Sequence, residues 1–230
     1  MRLVPPPPPG NLTFRVATDA DAEAIVTLVQ SAYRGEPSRA GWTTEADLVA
    51  GQRTDVCEVS AALASSDRDI LLAEDPSAAL VGCCQVRRRI EARRIESRRI
   101  ESPPKEQPST RHDLARTEGP AGSADLVDPD AAAPTAVGAY FGLFAVSPTQ
   151  QGAGVGGALL ALAEQHARGA WSAGWMEMVV IAQRAELIDW YLRRGYRRTG
   201  ETRPFPYDDT RLGEPMRTDL YFVVLRRPLT

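Results

Sequence analysis

The sequence predicts an α+β fold, a mixed sheet flanked by helices, on three observations. Short apolar runs of strand character alternate with segments whose apolar residues repeat at helical spacing. Two of the strand runs are joined by a short segment containing the turn-forming "DPSA", the mark of a hairpin. A third runs through a glycine-rich loop into a helix, which places a phosphate cradle near the middle of the sheet. With 230 residues, 43% of them hydrophobic and 25% charged, the chain can bury one good core. A single domain over residues 13–228 is expected, interrupted by an insertion at about 90–135.

Taken in order, "TFRVA" at 13–17 reads as a strand. The helix after it opens with Thr18 and Asp21 at capping-box spacing and sets Ala22, Ile25, Leu28, Val29 and Ala32 on one stripe. A loop bearing Gly, Pro and Ser follows, and a second short helix is expected from Thr44, ended by Gly51. "DILLAE" at 69–74 and "LVGCCQVRR" at 80–88 form the hairpin. The pattern then breaks into RRIEA, RRIES, RRIES, a period that suits neither helix nor strand, so that no face stays apolar. With the Pro-, Ser-, Asp- and Gly-rich stretch behind it, this predicts a largely disordered insertion, its arginines either a docking site for an acidic partner or a solvated expansion. Order returns with a strand at 137–146 and a helix from about Gly152 to Arg168, with Val155, Leu159, Leu162 and His166 on one stripe. A strand at 176–182 and the helix "RAELIDWYLRR", closed by Gly195, precede two last strands in "GYRRTGE" and "TDLYFVVLRRPL".

The formal net charge of -3 gives no reason to expect nucleic acid as a partner, and no run is long and apolar enough to span a bilayer. Residues 1–12 carry five consecutive prolines and no apolar signal core, so a disordered Pro-rich tail is expected. Three cysteines, two of them adjacent at Cys83 and Cys84, fit a reduced, cytoplasmic protein, the adjacent pair pointing to opposite faces of a strand. With only His112 and His166 beside them and no metal-ligand spacing, no metal is expected. His166, late in its helix, suits the negative end of the helix dipole. Asp208 and Asp209 are read as a solvated turn or as an attractor of a cationic amine.

The residues "FGLFAVSPTQQGAGVGGALLALAEQHA" carry the chemistry. Gly152, Gly154 and Gly157 spell GxGxxG, the dinucleotide-binding pattern. In that fold the first glycine follows its strand directly, and an acid about 20 residues on closes the next strand. Here Ser147 to Gln151 intervene, and Glu177 opens its strand instead. The P-loop fails as well, because no Lys-Ser or Lys-Thr pair follows the glycines.

Gln151, Gly154 and Gly156 resemble instead the acyl-CoA loop of the GNAT superfamily of N-acetyltransferases: Gln or Arg, two residues, Gly, one residue, Gly or Ala. "LFAVSP" is similar to the strand before that loop, and "LIDWYLRRGYRRTG" to the family's segment around its tyrosine. Where the family often carries Asn near the start of the last helix, this chain has Gln183 and Arg184.

The resemblance implies a mostly antiparallel sheet that splays at the acyl-CoA site, and transfer of an acetyl group from acetyl-CoA to a primary amine by direct attack in a ternary complex. The alternative is a non-catalytic acyl-CoA-binding or interaction module. Backbone amides of Gly152, Ala153, Gly154, Val155, Gly156 and Gly157 would hold the pyrophosphate, aided by Gln151, and Arg184 would stand in for the family's Asn as a contact to the cofactor. The arm of the cofactor would pair with Phe144, Ala145 and Val146, and an amide near Val146 would stabilise the oxyanion. Tyr191 falls on the family's tyrosine and would protonate the departing thiolate, unless it is simply a core residue. Glu36 and Glu45 are candidate bases, and Tyr33 and Trp42 candidate walls of the acceptor pocket. The acceptor is a small-molecule or peptide amine, and a homodimer is left open.

Overall fold

The structure, a computed structural model, describes residues 12–92, 135–209, 211 and 213–229. The chain divides into a main body, Met1–Glu91 with Ala136–Thr230, and a second unit, Ala92–Thr135. The expected Pro-rich tail, Leu12 apart, and nearly all of the expected insertion lie outside the described residues. No helix among the described residues is long and apolar enough to cross a membrane.

Strand β1 (Thr13–Val16) leads through a 3-10 turn into α1 (Ala22–Tyr33), followed by α2 (Gly35–Ser38), β2 (Val49–Ala50) and α3 (Val56–Leu63). The hairpin strands are β3 (Arg68–Glu74) and β4 (Leu80–Ala92). After them come β5 (Thr135–Val146), α4 (Val155–Trp171), β6 (Trp175–Ile181), α5 (Ala185–Leu192), β7 (Arg197–Pro204), β8 (Glu214–Pro215) and β9 (Tyr221–Pro228). Seven strands form one sheet in the order β1-β3-β4-β5-β6-β9-β7, and β2 pairs with β8 apart from it. The pairs β1 with β3, β3 with β4, β6 with β9 and β7 with β9 are antiparallel, whereas β5 and β6 are parallel. The sheet is therefore mixed and mostly antiparallel, with helices on both faces.

The adjacent cysteines show how the two faces separate. Cys83 packs in the cluster that holds Ile25, Val29 and Ala32 of α1 and Val59 of α3. Cys84 packs in the larger cluster with Val155, Leu159 and Ala163 of α4 and Ile188 of α5. One residue of chain reverses the side because successive strand side chains alternate. Both thiols are buried, and burial pushes that of Cys83 up to about 12.

The expected α1 stripe is buried in full, with Tyr33 added. Its entry is fixed by the Asp21 carboxylate, which accepts the Thr18 amide at 2.7 Å and pairs with Arg15. In α4, Val155 and Leu159 are buried and Leu162 partly so. His166 does not meet the helix terminus; its Nε2 lies 2.7 Å from the Asp69 carboxylate on β3. Gly195 closes α5 with φ +88°, a conformation that favours glycine.

The helix expected from Thr44 to Gly51 is absent. The Glu45 carbonyl accepts the amides of Leu48 and Val49 in a turn, and Val49 and Ala50 then pair with β8. Neighbouring Leu48 and Val49 offer no helical stripe, whereas strand pairing buries Val49. The second helix of this region is α3, which starts where the Asp55 carboxylate caps the Glu58 amide at 2.7 Å.

Candidate functional site

The site begins where β5 and β6 part. They are paired at Ala139 with Met176 and Tyr140 with Glu177, and among the described residues no further rung joins them. Leu143 in β5 has φ +41°, so the strand bends in the stretch that leaves its neighbour. Parallel strands that separate leave backbone and side chains facing a gap, and two cavities open there. The first, of about 480 Å³, is bordered by Phe144 and Val146, the glycine loop and the outer face of α5. The second, of about 350 Å³, lies against Phe141 to Phe144 of β5 and Met178 to Ile181 of β6. Tyr33, Phe144, Arg184 and Leu187 border both, so the two spaces meet at these residues.

The glycine loop borders the first cavity with Gly152, Gly154, Gly156 and Gly157. Gly152 has φ +84° and Gly154 φ +88°, and only glycine takes this turn without strain. Gly154 is the N-cap of α4, so the amides of Val155, Gly156 and Gly157 occupy the first helical turn and lack intrahelical partners. With the positive end of the helix dipole behind them, they form an anion cradle. Val155 contributes backbone alone, its side chain being core, and Ala153 does not border the cavity. Across from the loop, the Arg194 guanidinium lies 3.5 Å from the Trp190 ring centroid, and Arg193 stands beside it. Sequence reasoning missed these three residues as lining of the cavity; the signal they offered was a cationic pair one turn from an aromatic residue.

Gln151 does different work from that expected. Its Oε1 accepts the amides of Trp42 at 2.9 Å and Thr43 at 3.3 Å. Its Nε2 donates to Thr43 Oγ1 at 2.8 Å and to the Val146 carbonyl at 3.1 Å. All four hydrogen-bonding positions of the amide are therefore taken by the protein, and none remains for a phosphate. The side chain ties the loop at 42–43 to the end of β5. Trp42 is likewise displaced from the acceptor wall expected for it: it borders the first cavity, its ring 6.4 Å from that of Trp190.

Tyr33 stands at the junction, its hydroxyl donating to the Phe144 carbonyl. Ala145 is buried on the α1 side of the sheet and borders neither cavity. Glu36, on α2, has a side chain 89% exposed, pairs with Arg39 and borders neither cavity; an exposed carboxylate held by a neighbouring cation is out of reach of the site.

Glu45 is buried at the second cavity, but it is an anchor for arginines. Arg34 Nη1 donates to it at 2.8 Å and Arg184 Nη1 at 2.7 Å, and Arg53 Nε approaches to 3.7 Å. Burial by itself would raise the pKa of this carboxyl; the charges of Arg184, Arg53 and Arg34 outweigh it and hold the pKa below the usual carboxylate range. A carboxylate stabilised in its charged form is a poor proton acceptor, which argues against a general base here. Arg184 also donates to the Thr43 carbonyl at 2.6 Å and sits over the Tyr33 ring at 5.3 Å. Together Glu45, Arg184 and Gln151 fix the segment 42–45 between the cavities. Gln183 turns away, donating to the Asp219 carbonyl at 2.6 Å. Asp209 pairs with Arg211 in a turn, and neither it nor Asp208 borders the two cavities.

This arrangement makes acid sensitivity measurable. Because the folded pKa of Glu45 is depressed, its stabilisation is present above the unfolded value of about 4.3 and is lost as pH falls through the folded value. Glu45→Ala should cost about 3–5 kcal/mol at pH 7, since it leaves buried guanidiniums uncompensated. Urea unfolding of wild type and Glu45→Gln from pH 7 to pH 3 should show their difference shrinking toward the acid end. A pH-independent difference would show that the charge of Glu45 is not what stabilises the fold.

Tyr191 lies at the second cavity, only 3% exposed, on the inner face of α5. Its ring packs at 5.0 Å from Trp190, 5.8 Å from Tyr196 and 6.5 Å from both Phe141 and Phe144. Its hydroxyl makes no hydrogen bond to another described residue. Burial raises the phenol pKa well above its ordinary value, so the group stays protonated at neutral pH.

No family model matches the sequence, and no curated protein matches it significantly. Solved structures do match the fold. The ribosomal-protein-S18-alanine N-acetyltransferase of Escherichia coli is 13% identical with a TM-score of 0.55, over 95% of this chain and 94% of that one. A protein of Salmonella typhimurium described as an acetyltransferase, solved with its cofactor acetyl-CoA, is 16% identical with a TM-score of 0.55, over 96% and 95%. A protein of Desulfovibrio desulfuricans described as a GNAT-family acetyltransferase is 14% identical with a TM-score of 0.51, over 95% and 99%. The chain has the fold of the GNAT N-acetyltransferases. At such identities the likeness speaks to fold, and the activity must be argued from the site.

Proposed function

We propose that the chain is an N-acetyltransferase that moves an acetyl group from acetyl-CoA to a primary amine by direct attack in a ternary complex. The observation that carries this reading is the meeting of two cavities at the parting of β5 and β6, with the Tyr191 hydroxyl unpartnered in the second. The first cavity suits the donor. The amides of Val155, Gly156 and Gly157 and the helix dipole take the pyrophosphate, Arg193 and Arg194 add positive charge, and Phe144 and Val146 border the path of the acyl arm.

The second cavity receives the amine and brings it to the thioester at Tyr33 and Phe144. As the carbon–nitrogen bond forms and the carbon–sulfur bond breaks, Tyr191 gives its proton to the departing thiolate. The proton shed by the amine leaves to water at the cavity mouth beside Glu58, since Glu45 is committed to its arginines. Acetyl-CoA should raise the melting temperature, by the equivalent of about 2.7 kcal/mol at a hundredfold excess over Kd, while NADH and ATP should not. Release of CoA on addition of amines from a panel then separates an enzyme from a binding module. No thermal response to acetyl-CoA would overturn the donor site, and binding without CoA release from any amine would overturn the enzyme.

A further inference from the structure

We infer that the acceptor amine also carries an anionic group, typically a carboxylate, and that Arg53 selects it. The inference rests on the acetyltransferase reading above and names the class of its second substrate. The second cavity is bordered by three guanidinium groups, Arg34, Arg53 and Arg184, and by two carboxylates, Glu45 and Glu58. The single charge of Glu45 is shared among all three arginines. Arg34 at 2.8 Å and Arg184 at 2.7 Å are in direct contact with it, and Arg53 has only a 3.7 Å approach through Nε. Glu58 is exposed, bonded by Thr54 Oγ1 at 2.8 Å, and no ion pair joins it to Arg53. The cavity wall therefore holds more positive than negative charge.

Arg53 is where that excess is accessible. Its Nη1 and Nη2 make no hydrogen bond to another described residue, and its side chain is 27% exposed. A guanidinium with both outer nitrogens free presents a planar fork that a carboxylate can meet with two parallel hydrogen bonds. The position is right for a substrate. The Arg53 guanidinium carbon lies 5.7 Å from the centroid of Tyr33, whose hydroxyl contacts Phe144 at the junction of the cavities. An anion on Arg53 thus sits close to where the amine must attack. Arg53 does not border the first cavity, so its free donors are not those of the CoA site. A polyamine would bring further positive charge to this wall. Spermidine/spermine N-acetyltransferase of Vibrio cholerae has the same fold, so fold does not decide the acceptor and the wall does.

The test uses the full-length protein and matched amines: leucine against isopentylamine, phenylalanine against phenethylamine, and spermidine as polycation. In wild type, kcat/KM from CoA release should favour each carboxylated member by about 10- to 100-fold, the scale of a charge-assisted hydrogen-bond pair. Arg53→Gln should collapse that ratio through a rise in acceptor KM while acetyl-CoA affinity holds, and Arg53→Lys should restore part of it. Preference of the wild type for the decarboxylated amines or for spermidine would overturn the inference. So would an undiminished preference in Arg53→Gln. Should Arg53→Gln fold poorly, as melting curves would show, Arg53→Lys, which keeps the charge and loses the planar fork, carries the comparison. Turnover without the preference leaves the acetyltransferase standing, whereas absence of any turnover removes the reading on which the inference rests.

Discussion

Tyr191→Phe is expected to lower turnover by about 10²- to 10⁴-fold, the usual scale for general acid catalysis, with acetyl-CoA affinity and melting temperature little changed. The structure makes the substitution clean. The hydroxyl that is removed bonds to no described residue, while the ring contacts with Trp190, Tyr196, Phe141 and Phe144 are all kept. The phenol borders the second cavity and not the first, so donor binding should not sense its loss. Its pH behaviour follows from the same burial. The proton donor must be protonated, and because its pKa is raised, that form persists through neutral and mildly alkaline pH. Any loss of activity below about pH 10 must then come from another group. Melting curves together with CoA release from the best amine check this. Equal turnover in the variant would remove Tyr191 from the mechanism and leave solvent to protonate the thiolate.

Gly154→Glu should weaken acetyl-CoA binding by about 10²- to 10³-fold. Two effects combine. At φ +88° any side chain imposes backbone strain at the cap of α4, of about 1–3 kcal/mol, although this falls on free and bound protein alike. The specific term is charge: a carboxylate at the cradle, about 4 Å from a phosphate and partly screened, opposes binding by about 4 kcal/mol. Gly154→Ala separates the two, since it carries the strain without the charge. Titration of acetyl-CoA should therefore rank wild type and alanine variant close together and the glutamate variant far below. If the glutamate variant bound normally, the pyrophosphate would have to lie elsewhere.

The parts of the molecule readable in one dimension are those with a local cause. Alternation put Cys83 and Cys84 on opposite faces, helical spacing marked the buried stripe of α1, and the offset of the glycines from their strand argued against a dinucleotide turn. The roles that changed are those set by distant partners. Glu45 read as a base because Arg184, which claims it, lies 139 residues away in sequence. Gln151 read as a phosphate ligand because its bonds to Trp42 and Thr43 cross more than 100 residues. The turn at 44–48 lost its expected helix to a strand pair formed with β8, again a distant segment. Arg53 carried no local signal at all, since what distinguishes it is a shortage of partners around a cavity assembled from β5, β6, α1 and α5.

Donor and acceptor are proposed to be held together in two adjoining cavities. Initial rates of CoA release with acetyl-CoA and the best amine varied against each other test this most directly. Direct transfer in a ternary complex predicts reciprocal plots that intersect, and no acetylated protein when acetyl-CoA is supplied alone. Parallel plots with a stable acetyl-protein, or CoA release that does not depend on the amine, would contradict it.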